Sequence, residues 1–150
     1  MAGMFRPKIL DLIKEEHDRV KDLFNQFEGQ VRSDQGQAEV TARQIITELE
    51  GHTQREEQLV YPRLRELNTD LFYEAEEEHH VADLLIRELK QGSPRDPSYE
   101  PKMMVLRTNV EHHMEEEEDK IFDQIGRLPE DMLDNLAAQW QSARSRAMSA

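Results

Sequence analysis

Two short acidic phrases each place a histidine and a glutamate four residues apart. The first holds His52 and Glu56, and the second holds His113 and Glu117. On an α-helix, residues i and i+4 lie on the same face, so each phrase presents an imidazole beside a carboxylate. Imidazole nitrogen and carboxylate oxygen together suit iron, manganese or zinc. The phrases therefore predict two pairs of metal ligands.

A further phrase lies upstream of each of these two, and in both of these further phrases a histidine follows two glutamates. His17 is followed by apolar residues at +3, +6, +7 and +10, and His79 is followed by apolar residues at the same offsets. His79 lies 62 residues after His17, and His113 lies 61 residues after His52. The chain is therefore interpreted as a duplicated pair of helices. The remaining histidines of the chain, His80 and His112, also lie in these phrases.

The composition predicts a helical protein and limits its partners. A chain of 150 residues, 37% hydrophobic and 34% charged, suits one domain built as an amphipathic helical bundle. The net charge of −13 argues against nucleic acid or an anionic membrane surface as a partner. The absence of cysteine excludes disulfides, thiolate metal sites and a cysteine nucleophile.

Two further expectations concern location and assembly. No apolar run approaches the roughly 20 residues of a membrane span, and the amino terminus lacks the apolar stretch of a signal peptide. A cytoplasmic protein is therefore expected, either monomeric or weakly homo-oligomeric.

Apolar residues recur at intervals of three and four along most of the chain, and no segment alternates like a strand. The predicted fold is an all-α, up-down-up-down four-helix bundle with a core at about 8–126 and a short fifth helix. Residues 1–7 are expected to form an arm. The predicted helices cover about 8–28, 38–67, 71–90, a segment from the break at 92–98 to about 126, and about 129–145.

Four antiparallel helices would bring the in-phase histidines to one point of the core. Glu56 and Glu117, one from each half, could then bridge two ions. A single histidine on an apolar face is more often a hydrogen-bonded core residue, but buried carboxylates are strongly disfavoured without a compensating charge. The neighbouring glutamates are expected to be solvated, with some of them supporting the ligands: Glu57, Glu77, Glu78, Glu115 and Glu118.

The combination of phrases resembles the bacterial hemerythrin-like proteins, the HHE cation-binding family, over about residues 8–126. That resemblance implies a non-haem di-iron centre inside the bundle, with histidines as terminal ligands and carboxylates as bridges; manganese or zinc is the less favoured content. The phrases that match are Glu-Glu-His17, His52-xxx-Glu56-Glu57-xxx-Tyr61-Pro62, Glu78-His79 and His112-His113-xxx-Glu117-Glu118.

Helix three departs from the oxygen-carrying members of that family, which place two histidines four residues apart there. The positions four from His79 are Ala75 and Asp83 in this chain. A ligand is therefore absent or replaced, and the candidates are Glu76, His80, Tyr61 or water. The fourth helix offers two histidines, of which His113 is favoured by the internal repeat, with His112 as the alternative.

The favoured function is a binding protein that takes up dioxygen, nitric oxide or peroxide, or that senses oxygen or iron. The alternative is a di-iron enzyme that activates dioxygen or removes peroxide. A ferritin-like oxidase would require Glu-xx-His on two helices, whereas this spacing occurs on the third helix alone. A structural bundle without metal is the remaining possibility, and it would make the aligned histidines accidental.

Overall fold

The computed structural model describes residues 6–149, so most of the expected arm at 1–7 lies outside the described residues. Within this range the chain is helical throughout and contains no strand, which confirms the predicted all-α class. The elements are α1 (Lys8–Gln30), α2 (Gln35–Arg55), a π-helical turn (Glu56–Val60), α3 (Tyr61–Leu67), α4 (Thr69–Gln91), α5 (Tyr99–Glu116), a second π-helical turn (Glu117–Ile121), α6 (Phe122–Ile125) and α7 (Glu130–Ser149).

Four long helices form the predicted up-down-up-down bundle. The first is α1 and the third is α4. The second is α2 continued through a π turn into α3, and the fourth is α5 continued through a π turn into α6. Polar caps fix where two of them begin: the Asp34 carboxylate accepts the Gln37 backbone N–H, and the Asn68 side chain accepts the Leu71 backbone N–H. Asn68 is also the only residue between α3 and α4, so these helices turn back on each other.

The apolar core is divided into two layers. One layer joins the second half of α1 with the first half of α2, the second half of α4 and most of α5. The other joins the start of α1 with α3, the start of α4, α6 and α7. The buried histidines and glutamates lie on the helices between these layers. The fold therefore encloses a polar layer in an apolar bundle.

The predicted fifth helix, α7, is longer than expected. It continues to Ser149, whereas the sequence predicted an end near 145. Its apolar face packs on the second of the two layers through Leu133, Leu136, Ala137 and Trp140, all of which are buried. Trp140 is fully buried, so α7 forms part of the core.

Both long helices that carry a His-xxx-Glu phrase widen into a π-helical turn that begins at the glutamate of the phrase. The Tyr61 N–H donates to the Glu56 carbonyl, and the Phe122 N–H donates to the Glu117 carbonyl, each five residues back. Pro62 follows the first turn and can loosen a helix, but the second turn forms without a proline in the equivalent position. Pro62 is therefore not the common cause of the widening. Such π turns are frequent at functional sites.

The π turn also changes which residues face the core. One extra residue in the turn rotates the downstream apolar face, and Tyr61 becomes buried with 1% exposure. A regular period of 3.6 residues would place Leu67 on the same side as the buried Leu49, five turns earlier, but Leu67 is 37% exposed. Leu59 is half-buried. Among residues 6–149, no helix is both long and apolar enough to cross a membrane.

Gly51 lies inside α2, where glycine costs about 1 kcal/mol relative to alanine. A Cβ atom at this position would lie 3.2 Å from the Arg55 Nη1 atom. Arg55 uses its other terminal nitrogen, Nη2, to bind the Glu16 carboxylate at 2.6 Å. The glycine therefore leaves room for a buried guanidinium.

The close approach at Gly51 predicts a coupled pair of substitutions. Gly51→Ala in an Arg55→Ala background is expected to stabilise the fold by about 1 kcal/mol, because helix propensity alone is changed. In the presence of Arg55, the same substitution is expected to give less stabilisation or none, because the guanidinium must move. Urea denaturation of the four members of this double-mutant cycle measures the difference. An equal gain in both backgrounds would show that the glycine is not needed for Arg55.

Candidate metal centre

Four histidines from four helices meet in the polar layer. They are His17 on α1, His52 on α2, His79 on α4 and His113 on α5, and all four are buried. Two carboxylates accompany them, and Glu56 and Glu117 are 0% and 1% exposed. Each of these glutamates is the first residue of a π turn.

The first group of potential ligands consists of His17, His52, Glu56 and Glu117. One nitrogen or oxygen of each lies within 4.8 Å of the others. His17 Nε2 lies 3.0 Å from Glu117 Oε1, and His52 Nε2 lies 3.2 Å from Glu56 Oε1. These distances are compatible with a single ion between four donors.

The second group consists of Glu56, His79 and His113, again with ligand atoms within 4.8 Å of one another. His79 Nε2 lies 3.3 Å from Glu56 Oε1, and His113 Nε2 lies 3.3 Å from Glu117 Oε2. Each of the two carboxylates therefore contacts an imidazole from both groups. That is the arrangement in which carboxylates bridge two ions in the core of a bundle.

The donor set fits metal because most of its inward-facing atoms lack hydrogen-bond partners. In the described part of the chain, five buried atoms of this centre make no hydrogen bond: Nε2 of His17 and His52, both carboxylate oxygens of Glu56, and Oε1 of Glu117. Burying such groups unpaired is costly, and the cost is greatest for charged ones. Cations placed among them would satisfy nitrogen and oxygen donors together.

Tyr61 completes the second group. Its hydroxyl donates to Glu117 Oε2 at 2.8 Å and lies 3.1 Å from Nε2 of both His79 and His113. Burial, together with the charges of Glu117 and Glu56, raises the pKa of this phenol well above its ordinary value. Without a cation, Tyr61 therefore keeps its proton.

The other candidates for the absent helix-three ligand lie elsewhere. Glu76 and His80 are exposed on α4, and they line a surface depression instead of facing the core. His112 is exposed on α5 and contacts Glu116, whereas its neighbour His113 faces the core. The structure therefore brings together His17, His52, Glu56, His79, His113, Glu117 and Tyr61, and it keeps His80 and His112 outside.

Each of the four buried histidines also has a carboxylate at its outer ring nitrogen. An ionised carboxylate only accepts hydrogen bonds, so Nδ1 is the donor, and in the neutral ring Nε2 carries a lone pair toward the centre. Such partners orient metal-ligating histidines. The Nδ1-to-carboxylate distances are 2.8 Å for His17 and Glu118, 2.9 Å for His52 and Glu16, 3.0 Å for His79 and Glu57, and 2.6 Å for His113 and Glu78.

The four supporting carboxylates follow the internal repeat. Glu16 and Glu78 directly precede a histidine, and Glu57 and Glu118 directly follow a motif glutamate. Three of them were among the glutamates expected to be solvated, while Glu16 was not considered as a site residue. The signal that could have identified Glu16 is its position before His17, because Glu78 holds the matching position before His79.

Hydrogen bonding and charge shift the pKa values of these groups. Burial alone would raise the pKa of Glu16, but His52 and Arg55 outweigh it and lower the pKa to about 2. Burial alone would lower the pKa of His52, but Glu56 and Glu16 raise it to about 10. Glu56 and Glu57 likewise overcome burial and raise the pKa of His79 to about 9. The cation-free centre therefore holds protons on imidazole at neutral pH.

A small cavity adjoins the second group. Its volume is about 20 Å³, close to that of one small molecule. Away from the histidines and glutamates its walls are mainly aliphatic, formed by α2, α4 and α5. The residues that line it are Leu49, His52, Thr53, Glu56, Glu78, His79, Ala82, Ile86, Asn109, Val110, His113 and Met114.

Comparisons with known proteins identify the fold and the family of this chain. A crystal structure of a hemerythrin HHE cation binding domain-containing protein from Mycobacterium kansasii superposes with a TM-score of 0.76, at 24% identity, over 93% of this chain and 89% of that one. This likeness shows the fold. A DNA nickase of Nostoc sp. is 27% identical over 143 residues, which cover 92% of this chain and 39% of the nickase.

The family model for the hemerythrin HHE cation binding domain matches residues 8–125. That range contains all four buried histidines, the buried carboxylates Glu56 and Glu117, and both π turns. The buried cluster of histidine and glutamate is therefore one able to bind metal, and the chain belongs to the hemerythrin HHE cation-binding domain family.

Proposed function

We propose that the polar layer holds a non-haem centre of two iron ions. The observation that carries this proposal is that two groups of buried donors share Glu56, and that five of their inward-facing atoms have no hydrogen-bond partner. The donors are imidazole nitrogens and carboxylate oxygens, and this mixture suits iron. Magnesium and calcium prefer sites made of oxygen alone. Zinc and manganese are the less favoured contents.

The two positions would differ in their ligands. His17 and His52 would bind the first ion, His79 and His113 would bind the second, and Glu56 and Glu117 would bridge them. Apart from these histidines and glutamates, Tyr61 is the side chain nearest to the second ion position, with its hydroxyl 3.1 Å from Nε2 of both His79 and His113. We therefore propose Tyr61 as the replacement for the absent helix-three histidine. A pair of iron ions supplies reversible redox chemistry and an affinity for small ligands.

We propose reversible binding or sensing of a diatomic molecule or of peroxide as the function of this centre. The cavity of about 20 Å³ supports a ligand of this size and is too small for a larger organic substrate. Its mainly aliphatic walls favour an uncharged ligand, because a charged ligand would lose hydration without gaining partners there. Dioxygen and nitric oxide satisfy both requirements.

One observation favours peroxide removal as the second candidate. In this candidate Tyr61 would not ligate the metal, and it would keep a protonated hydroxyl beside His79 and His113. Reduction of peroxide to water would require two electrons, which two ferrous ions could supply, and two protons, of which a phenol in this position can donate one. This chain would then be an enzyme.

A role on DNA is not proposed, although one relative is a DNA nickase. The net charge of −13 opposes binding to a phosphate backbone, which depends on lysine and arginine contacts. The chain also matches only 39% of that protein's length.

The two candidates predict different responses to air and peroxide. Anaerobically reduced, iron-loaded protein is mixed with air in a stopped-flow spectrometer, and the visible spectrum is followed during return to argon. Reversible binding predicts an absorption change in air that disappears under argon. Rapid irreversible oxidation with fast peroxide consumption would favour the enzyme and contradict reversible binding.

Tyr61→Phe provides the matched variant for this experiment, because it removes only the hydroxyl. If Tyr61 donates the proton in peroxide removal, the variant is expected to slow peroxide consumption by about 100-fold, the usual contribution of a positioned acid. Reversible binding requires no proton from Tyr61 and predicts that the argon-sensitive change persists. Protein that binds no iron under either condition would contradict both candidates.

A further inference from the structure

Glu16 receives more hydrogen-bond donors than any of the other three supporting carboxylates. Its Oε1 accepts from His52 Nδ1 at 2.9 Å and from Arg55 at 2.6 Å. Its Oε2 accepts from the Trp140 indole N–H at 2.8 Å and from Arg144 at 3.4 Å. Both oxygens are therefore held, and two of the four donors come from α7.

Trp140 also contacts the other members of this network. Its ring lies 5.6 Å from the His52 ring in an edge-on arrangement, and the Arg55 guanidinium lies 5.2 Å from its centroid. Trp140 is fully buried and Glu16 is 2% exposed. Hydrogen bonds are stronger in such a buried site than in water, so the bonds among Trp140, Glu16 and His52 hold these side chains in fixed relative orientations.

The repeat-equivalent pair, Glu78 and His113, has no such support. Glu78 is 18% exposed, and no arginine or tryptophan contact to it is found among the described residues. Its neighbour Glu116 is another carboxylate, and each perturbs the other's pKa. The two halves of the duplication therefore offer similar ligands with unequal support.

We propose that Glu16 and Trp140 are positioning residues through which α7 fixes the orientation of His52. As a result, the metal position formed by His17 and His52 releases its ion more slowly than the position formed by His79 and His113. This inference rests on the proposed two-metal centre. It goes further by assigning α7 a role in metal retention and by ranking two positions whose ligands resemble each other. Loss of a partner that orients a metal ligand commonly weakens affinity 10- to 100-fold.

The experiment follows metal release from full-length protein loaded anaerobically with Fe²⁺. A chromophoric chelator in excess is added, and release is recorded by absorbance for the wild-type protein, Glu16→Gln, Trp140→Phe and Glu78→Gln. Trp140→Phe keeps an aromatic ring and removes the N–H donor together with part of the buried indole, so its fold stability is measured as well. Glu78→Gln is the matched control, because it makes the same chemical change at the repeat-equivalent carboxylate.

The wild-type protein is expected to release its iron in a fast and a slow phase of equal amplitude. Glu16→Gln and Trp140→Phe are expected to accelerate the slow phase about 10-fold or more and to leave the fast phase unchanged. Glu78→Gln is expected to accelerate the fast phase alone. Melting temperatures of the metal-free variants serve as the structural control, since release can then be compared at equal fold stability.

A second measurement uses Trp140 as a local probe, since it is the only tryptophan of the chain. Its fluorescence is expected to recover with the slow phase in the wild-type protein and to recover faster in Glu16→Gln. Two phases that Glu16→Gln and Trp140→Phe leave unaltered would overturn the role of α7 while leaving the two-metal centre intact. Wild-type protein that binds fewer than two ions would overturn the centre and this inference together.

Discussion

Replacing Glu56 and Glu117 together by alanine is expected to reduce the metal content from two ions per chain to less than one. Each carboxylate contacts imidazoles of both ligand groups, so no ion in the proposed centre would keep its full set of donors. Both side chains are buried and have at least one unpaired oxygen. Either single variant is expected to lose part of the metal, because the remaining glutamate still bridges.

The chain offers a matched control for this double variant. Glu77 and Glu115 lie in the same repeated phrases and are exposed, so Glu77→Ala with Glu115→Ala removes the same charge outside the core. The control is expected to retain two ions. Metal analysis by mass spectrometry after gel filtration compares the two proteins. Two ions bound per chain in the Glu56→Ala, Glu117→Ala protein would contradict the assignment of both bridges.

Much of the polar layer could be predicted from local sequence because its four histidines lie on regular α-helices. A histidine in phase with an apolar stripe must face the core, and the duplication related His17 to His79 and His52 to His113. The same repeat favoured His113 over the adjacent His112 on α5, and the structure buries His113 and exposes His112. Placement of these residues required only helical period and repeat register. Their role as metal ligands stays a proposal.

The features that were not predicted depend on contacts distant in sequence or on departures from the regular helix. Trp140 and Glu16 are 124 residues apart, and no local pattern links them. The π turns add one residue to a helical turn, so an apolar pattern read with a period of 3.6 misplaces Leu67. Tyr61 reaches the core through the same change of phase. These are the places where tertiary packing overrides local periodicity.

Removal of metal is expected to lower the melting temperature, and the loss is expected to grow as pH rises from 6 to 9. In the cation-free protein, the raised pKa values of His52 and His79, about 10 and 9, mean that folding favours the protonated rings. Their contribution to stability is complete below the ordinary value of 6.5 and is lost as pH rises through 9 to 10. The cation-free fold therefore weakens on the alkaline side.

Carboxylates act in the opposite direction and set the acid limit. The pKa of Glu16 is lowered to about 2, so its contribution is present above the ordinary value of 4.5 and is lost as pH falls through 2. The cation-free protein is accordingly expected to be most stable between about pH 4.5 and 6.5.

Metal binding has the reverse dependence on pH, because ligands bind cations only after they lose their protons. A free concentration of metal 100-fold above the dissociation constant adds about 2.7 kcal/mol of stability, which corresponds to about 5–10 °C for a chain of this size. Calorimetry with Fe²⁺ under argon, and with chelator, at pH 6, 7.5 and 9 measures this difference.

The Glu77→Ala, Glu115→Ala protein is expected to behave like the wild type, and Glu56→Ala, Glu117→Ala is expected to show little response to metal. Equal melting temperatures with metal and with chelator at every pH would mean that the imidazoles of the polar layer do not exchange their protons for a cation.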